Sequence, residues 1–464
     1  LSLANLIFDV EFARYMHASR WRKHAVSTLL ACLSLVPIHV VANDALTRFQ
    51  LENGLDVIVQ VDRRAPVAVV QTWYGVGGGD EPKGMTGISH VLEHMMFKGT
   101  KKVPVGEFSR IVARFGGSDN AYTTQSETVY FQRVLSHRVQ LALELEADRM
   151  MNLLLDEEEF KRELQVVVEE RRQRTDDRPG GRAFELFNAT AHVENPQRTP
   201  IIGWRHDLDN LTIEQVRQWY AQWYAPNNAT LVVAGDVDPD QVRHWVADYF
   251  ALLPARSLPE RPLWRETATL QERQQTMTLP AQVPALYLGF NWPSLKTAAT
   301  AEEAYGLRML AGILDGGVSA RLESNLVRAG KAAAVNSSYN LLARGDTLWV
   351  ITAVPVPGQD LNSLRDHVLA EVLRLRDEAV DEDEIERVLV NVLSDSVFSR
   401  DSLDQQATQL GQLASLGLSL DWPSEYAKAL RNVTPEQIQD LANRYLLPER
   451  MTTLFMQIDK EKTP

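Results

Sequence analysis

His90, Glu93 and His94 stand in one short apolar stretch, residues 87–100, which reads GISHVLEHMMFKGT. Wound as a helix, residues four apart stack on one face, so both imidazoles can reach one ion. Glu93, one turn after His90, points to the same side. Catalytic zinc keeps three protein ligands and one open place for water, and a carboxylate that is not a ligand takes that water's proton. The order H-x-x-E-H inverts the H-E-x-x-H zinc motif. Histidines on a helix are also ordinary polar residues, so the pentapeptide carries metal chemistry only if a third ligand exists.

The run Glu163-Leu-Gln-Val-Val-Val-Glu169-Glu170 offers carboxylates on a second helix. Glu163 and Glu170 lie two turns apart on one face, with Glu169 off it. Val166 and Val167, between them, make that face largely apolar and buried, and a carboxylate there needs a partner. One reading makes Glu170 the third ligand and Glu163 the group that orients a histidine. The other pairs all three glutamates with Arg162, Arg171 and Arg172 on a solvated face. Spacing alone leaves both open.

The elements that must position these residues follow from periodicity. Residues 47–60 and 67–76 alternate apolar and polar around Asn53-Gly54, as strands joined by turns do. A glycine-rich break at 75–79 leads into the histidine helix. Next come a helix at 105–115, a turn at Gly116-Gly117, strands at 120–124 and 128–134, and an amphipathic helix at 138–154. A second strong helix, 156–175, has an acidic first turn that suits the helix dipole. Helix 213–224 stops at Ala225-Pro226, strand 229–234 follows, and 253–274, with Pro254, Pro259 and Pro262, is the candidate linker.

Beyond the linker the plan returns. Thr212, Glu214, Gln215, Pro226 and Thr230 recur at constant offset as Thr434, Glu436, Gln437, Pro448 and Thr452. Asp156, Glu157, Glu159 and Arg162 likewise recur as Asp381, Glu382, Glu384 and Arg387. This pattern indicates an internal duplication. His367 is the only histidine after the linker, so the second half cannot build an equivalent site. Its expected work is to shape a cavity or contact substrate.

A chain of 464 residues exceeds one ordinary core and suggests two to three domains. The expected division is residues 1–42 before the mature chain, 43–252 as the metal-binding domain, 253–274 as linker and 275–464 as the homologous second domain. The net charge of −13 argues against a nucleic-acid partner. Residues 16–42 read as a secretory signal: Met16, a basic start at Arg20, Arg22 and Lys23, an apolar run, and the small-residue site Val40-Val41-Ala42. Residues 1–15 read as upstream translation. Cys32, the only cysteine, lies inside this signal, so the mature chain has no disulfide. A lipoprotein box at Leu29-Leu30-Ala31-Cys32 ranks second, because the apolar run continues past Cys32. The expected compartment is a bacterial periplasm.

His90-Val-Leu-Glu93-His94 with the following Met-Met-Phe-Lys-Gly-Thr is one of five matching segments. The others are Gly116-Gly117 with Asn120-Ala121-Tyr122-Thr123, Val167-Val168-Glu169-Glu170, Pro200-Ile-Ile-Gly203, and Tyr224-Ala-Pro-Asn-Asn228-Ala. Together they resemble the pitrilysin or insulinase family of inverted zinc metallopeptidases. The likeness is to its short-subunit branch, which includes bacterial processing-protease-like proteins and mitochondrial processing peptidase, and it covers essentially the whole mature chain.

The resemblance implies an α+β fold of two homologous α/β domains, each an antiparallel sheet packed with helices. It implies one zinc ion per chain, held by His90, His94 and a glutamate about seventy-six residues on, here Glu170 (170 − 94 = 76). Glu163 takes the position of the family's supporting carboxylate, and Glu93 that of the general base in an endopeptidase acting on unstructured peptides. Asn120-Ala121-Tyr122 resembles the edge strand on which substrate lies as an added strand. Two chains of this length close a chamber. The family's second half commonly supplies an arginine and, seven residues later, a tyrosine that bind substrate; here Arg328 fits the first position and Val335 occupies the second. A valine donates no hydrogen bond. The expectation is a heterodimer in which a homologous subunit supplies the missing pair, with Tyr339 as the alternative donor.

Overall fold

The computed structural model of the chain describes residues 45–266 and 271–459. The expected signal with Cys32, and the stretch before it, lie outside them. Asn53-Gly54 turns the chain between β1 (Leu46–Gln50) and β2 (Asp56–Val61), and β3 (Val67–Tyr74), β4 (Ser118–Thr123), β5 (Thr128–Leu135) and β6 (Ala229–Gly235) complete the first sheet. Its order is β1-β2-β6-β3-β5-β4, which leaves β4 at an edge. Two helices, α1 (Ile88–Met95) and α2 (Glu107–Arg114), separate β3 from β4. After β5 the chain passes through α3 (Val139–Asn152), α4 (Glu157–Arg171), α5 (Pro179–Ala191), α6 (Arg205–Asn210) and α7 (Ile213–Trp223) to β6, and then into α8 (Pro239–Phe250).

The second half repeats this route. Its strands are β7 (Arg273–Leu279), β8 (Ala285–Trp292), β9 (Ala334–Tyr339), β10 (Thr347–Val354) and β11 (Met451–Ile458), in the order β7-β11-β8-β10-β9. Removing β1 makes the two orders the same. The helices α9 (Ala301–Leu314), α10 (Leu361–Asp377), α11 (Glu382–Ser399), α12 (Leu403–Ser415), α13 (Trp422–Leu430) and α14 (Pro435–Tyr445) fall in corresponding places. Even the caps match: Thr212 with Gln215 and Thr434 with Gln437 each form a capping box. The antiparallel expectation holds for every pair but one per sheet, since β2–β6 and β7–β11 run parallel. The last strand of each half returns after a long helical crossover, and such a connection permits parallel pairing.

The middles of β2 (Val57–Val59) and β6 (Leu231–Ala234) are continuous apolar runs because both faces are covered there. Val57, Val59 and Leu231 join Val91, Leu92, Met95, Leu143 and Trp219 in one core. The opposite face, with Ile58, Val69, Trp73 and Val232, is closed by Ala407 and Leu410 of α12, a helix of the second half. The exchange is reciprocal. Ala183, Phe187 and Ala191, four residues apart on α5, bury themselves against Leu279, Tyr287 and Leu454 of the second sheet.

The described part of the segment expected as a linker, residues 253–266, is pinned in place, and the segment's last two residues, Arg273 and Gln274, already belong to β7. Trp264 is 7% exposed. Asp80 accepts from Arg261 at 3.0 Å and from Arg344 at 2.6 Å, and the Arg344 guanidinium lies 4.3 Å over the Trp264 ring.

Candidate metal centre and cleft

α1 begins where two glycines allow the chain to cross itself. Gly87 sits at φ +88, and a Cβ there would come 2.6 Å from the Ile202 carbonyl oxygen. A Cβ on Gly203 would lie 2.4 Å from the Thr86 carbonyl oxygen, so the Pro200–Gly203 segment is glycine-dependent for the same reason. Glu81 satisfies the open helix start by accepting from the Gly87 and Ser89 amides at 2.6 and 2.8 Å. Ile88, Val91, Leu92 and Met95 face the core. His90, Glu93 and His94 therefore face the cleft.

α4 starts at Asp156, whose carboxylate accepts from the Glu158 and Glu159 amides. Phe160 and Val167 anchor it in the core, whereas Val166 is 48% exposed. The apolar face expected between Glu163 and Glu170 is thus only half as wide, yet both carboxylates still turn inward. The arginines that competed for them in the sequence go elsewhere: Arg162 pairs with Glu159, Arg172 with Glu169, and Arg171 with Glu185.

His90 Nε2 lies 3.8 Å and His94 Nε2 3.4 Å from one and the same oxygen, Oε2 of Glu170. Ligand atoms of His90, His94 and Glu170 all fall within 4.8 Å of one another, the only such trio of histidine, cysteine or acidic groups among the described residues. Two ligands about 2.1 Å from one ion in a tetrahedral arrangement stand about 3.4 Å apart. The donor set and its spacing fit zinc, and three protein ligands leave a fourth place free.

Around this trio each side chain has a distinct partner. His94 Nδ1 is 3.2 Å from Glu163 Oε2, and Lys98 Nζ is 2.6 Å from the other Glu163 oxygen. Glu93 is not a member of the trio; it lines the same cleft and accepts from Thr123 Oγ1, on β4, at 2.6 Å. Burial pushes the Glu93 carboxyl up to about 7 despite that bond. Burial, then repulsion from His94, brings His90 down to about 4. For His94 burial works downward, but Glu163 and Glu170 outweigh it and raise the ring to about 9. Burial likewise works against ionising Glu170, and the neighbouring histidines and Arg174 outweigh it, holding the carboxyl at about 2.

The trio opens on a cleft of about 690 Å³. One wall is the free edge of β4, where Asn120, Ala121 and Tyr122 line it, and α12 contributes Thr408 and Gln412. Arg328 does not line the cleft; it is exposed and bonded to Ser324. Val335 is buried on β9, the edge strand of the second sheet. Tyr339 is not a spare donor, because its hydroxyl donates to the Pro293 carbonyl at 2.6 Å. Sequence reasoning gave no role to Thr123, Lys98, Arg174 or the α12 residues, although Thr123 and Lys98 stood in matching segments and Lys98 and Arg174 each lie one helical turn after a proposed ligand.

The profile of the insulinase peptidases (peptidase family M16) matches residues 56–204, and that of the M16 inactive domain matches 210–391. The zinc protease PqqE of Helicobacter pylori is 30% identical over 412 residues, covering 88% of this chain and 91% of that protein. This chain belongs to the M16 family. A crystal structure of a protease from Helicobacter pylori superposes with a TM-score of 0.83 at 28% identity, over 89% of this chain and 99% of the other. The fold is also that of the periplasmic protease PqqL of Escherichia coli, with a TM-score of 0.76 at 19% identity. There the match covers 91% of this chain but 49% of PqqL. The zinc-protease names among M16 relatives support a peptidase-like role, and the described histidine-glutamate trio lies wholly in the first half.

Proposed function

We propose that this M16 chain is a zinc endopeptidase in which His90, His94 and Glu170 hold the ion and Glu93 is the general base. Zinc in that place supplies Lewis acidity toward water and a peptide carbonyl. The convergence of three ligand atoms beside an off-ligand carboxylate carries the reading. Glu93 commits one oxygen to Thr123 and keeps the other for a proton, which it takes from water in the cleft and returns to the leaving amine. Thr123 belongs to the strand whose free edge receives the peptide, so the base is tied to the backbone that positions its substrate. Main-chain pairing at Asn120-Ala121-Tyr122 selects extended, unstructured peptides more than particular sequences.

Metal content and hydrolysis of an unstructured peptide library test this directly. Glu93→Gln is expected to keep its zinc and lose cleavage. Equal turnover by variant and wild type would remove the base assignment.

Pairing with a homologous subunit extends the reading. Arg328 stands away from the chain's own cleft, Val335 is buried and Tyr339 is engaged, so a second chain is the source of substrate-binding groups from the second half. PqqL, twice as long, contains a region matching this fold in about half its length. A purified chain that turns over fully as a homodimer would exclude the need for a different partner. Export to the periplasm rests on residues 16–42 and is checked by cell fractionation.

A further inference from the structure

Glu170 divides its two oxygens. Oε2 faces His90 and His94, while Oε1 is held by the guanidinium of Arg174. Arg174 reaches it from a π-helical turn, residues 172–176, that continues directly from α4. Insertions of this kind re-aim side chains and cluster at functional sites. Its neighbours are committed outward or elsewhere: Arg172 binds Glu169 and Asp177, and Gln173 binds Glu169. Among the residues lining the cleft Arg174 is the one arginine or lysine, and its side chain is half exposed.

We infer that Arg174 is a positioning residue that confines Glu170 to offering a single oxygen to the metal place. The inference rests on the zinc reading above. A glutamate free to swing can present both oxygens to one cation, as carboxylate ligands do elsewhere. Both oxygens on the ion would fill the place that a hydrolytic centre keeps open for water. With Oε1 tied to the guanidinium, that rotation is blocked and the fourth place stays free. The positive charge also lies against the cation, so Arg174 weakens metal binding in exchange for an open site. This sign distinguishes it from a supporting group such as Glu163, whose removal weakens binding.

The test uses the full chain loaded with zinc or with cobalt(II) as a visible reporter. In Arg174→Met the cobalt bands are expected to lose intensity and shift as the coordination number rises. Zinc is expected to bind as tightly or more tightly in chelator competition, and kcat to fall roughly 10- to 100-fold with KM little changed. Arg174→Lys, which retains a donor and charge, is expected to restore the cobalt spectrum in large part. An Arg174→Met protein with the wild-type cobalt spectrum would overturn the inference, as would one whose zinc affinity falls. Glu170→Gln separates the two levels. If wild type and Glu170→Gln bind zinc alike, the metal centre itself fails and this inference with it; if only the Arg174 variants match wild type, the centre stands and the inference alone falls.

Discussion

Gly411 sets α12 of the second half directly against Trp73 of the first, and substituting it reports whether α12 helps shape the cleft. A Cβ at Gly411 would lie 2.1 Å from Trp73 Cε2 and 2.2 Å from Nε1. Ordinary contact begins at 3.4 Å, so ring and helix must separate by at least 3.4 − 2.1 = 1.3 Å. The indole cannot yield: it is 4% exposed and its Nε1 donates to Gln71 at 2.9 Å. Gln71 in turn donates to Thr408 Oγ1 at 3.1 Å, and Ser415 donates to Glu127 at 3.0 Å, so α12 lifts only by loosening these bonds. Overpacking of this kind costs about 1–3 kcal/mol. Gly411→Ala is therefore expected to unfold at lower temperature and lower urea. Thr408 and Gln412 travel with the helix, and a displacement near 1 Å at a reacting site lowers kcat/KM by up to roughly 100-fold. Zinc affinity is expected to stay unchanged, because the three ligands stand on α1 and α4. Adding Trp73→Phe, which replaces the indole with a smaller ring and removes Nε1, is expected to restore part of the stability. Wild-type melting and wild-type kcat/KM in Gly411→Ala would refute the reasoning.

Glu163→Gln keeps the shape of the side chain but removes the charge shared by His94 and Lys98, and zinc affinity is expected to fall roughly 10- to 100-fold. Chelator competition measures it, and an unchanged affinity would reduce Glu163 to a structural partner of Lys98. Glu81 gives a pH signature away from the metal. Burial outweighs its two amide donors and pushes the carboxyl from 4.5 up to about 8. Between those values the folded protein holds a proton that the unfolded chain has released, so stability falls as pH rises through that window. Urea midpoints measured from about pH 5 to about pH 8 are expected to decline in wild type and to decline less in Glu81→Gln.

The histidine helix was readable because its cues are local: the spacing of two imidazoles and an acid, and apolar residues that settle which face turns inward. The repeat of caps at Thr212 and Thr434 came through in the same way, whereas the edge position of Asn120-Ala121-Tyr122 rested on the family resemblance. What stayed hidden depends on partners distant in sequence. Ala183, Phe187 and Ala191 mark an amphipathic helix, but nothing in that spacing says that its apolar stripe covers the other half's sheet. Gly411 looks like a weak point inside a helix until Trp73 is placed against it. The choice at Glu170 shows the same limit more sharply. Helical periodicity could not say whether the glutamates of α4 pair with nearby arginines or with histidines on another helix. The folded chain does both, giving Glu159 and Glu169 to arginines on their own segment and turning Glu163 and Glu170 toward α1. Arg174 is the remainder of that division, a local arginine that keeps hold of one oxygen of a residue whose other oxygen has been committed to the cleft. A charged helix beside such a cleft is therefore better read oxygen by oxygen than residue by residue, since one carboxylate here serves a pair with Arg174 and the two histidines at once.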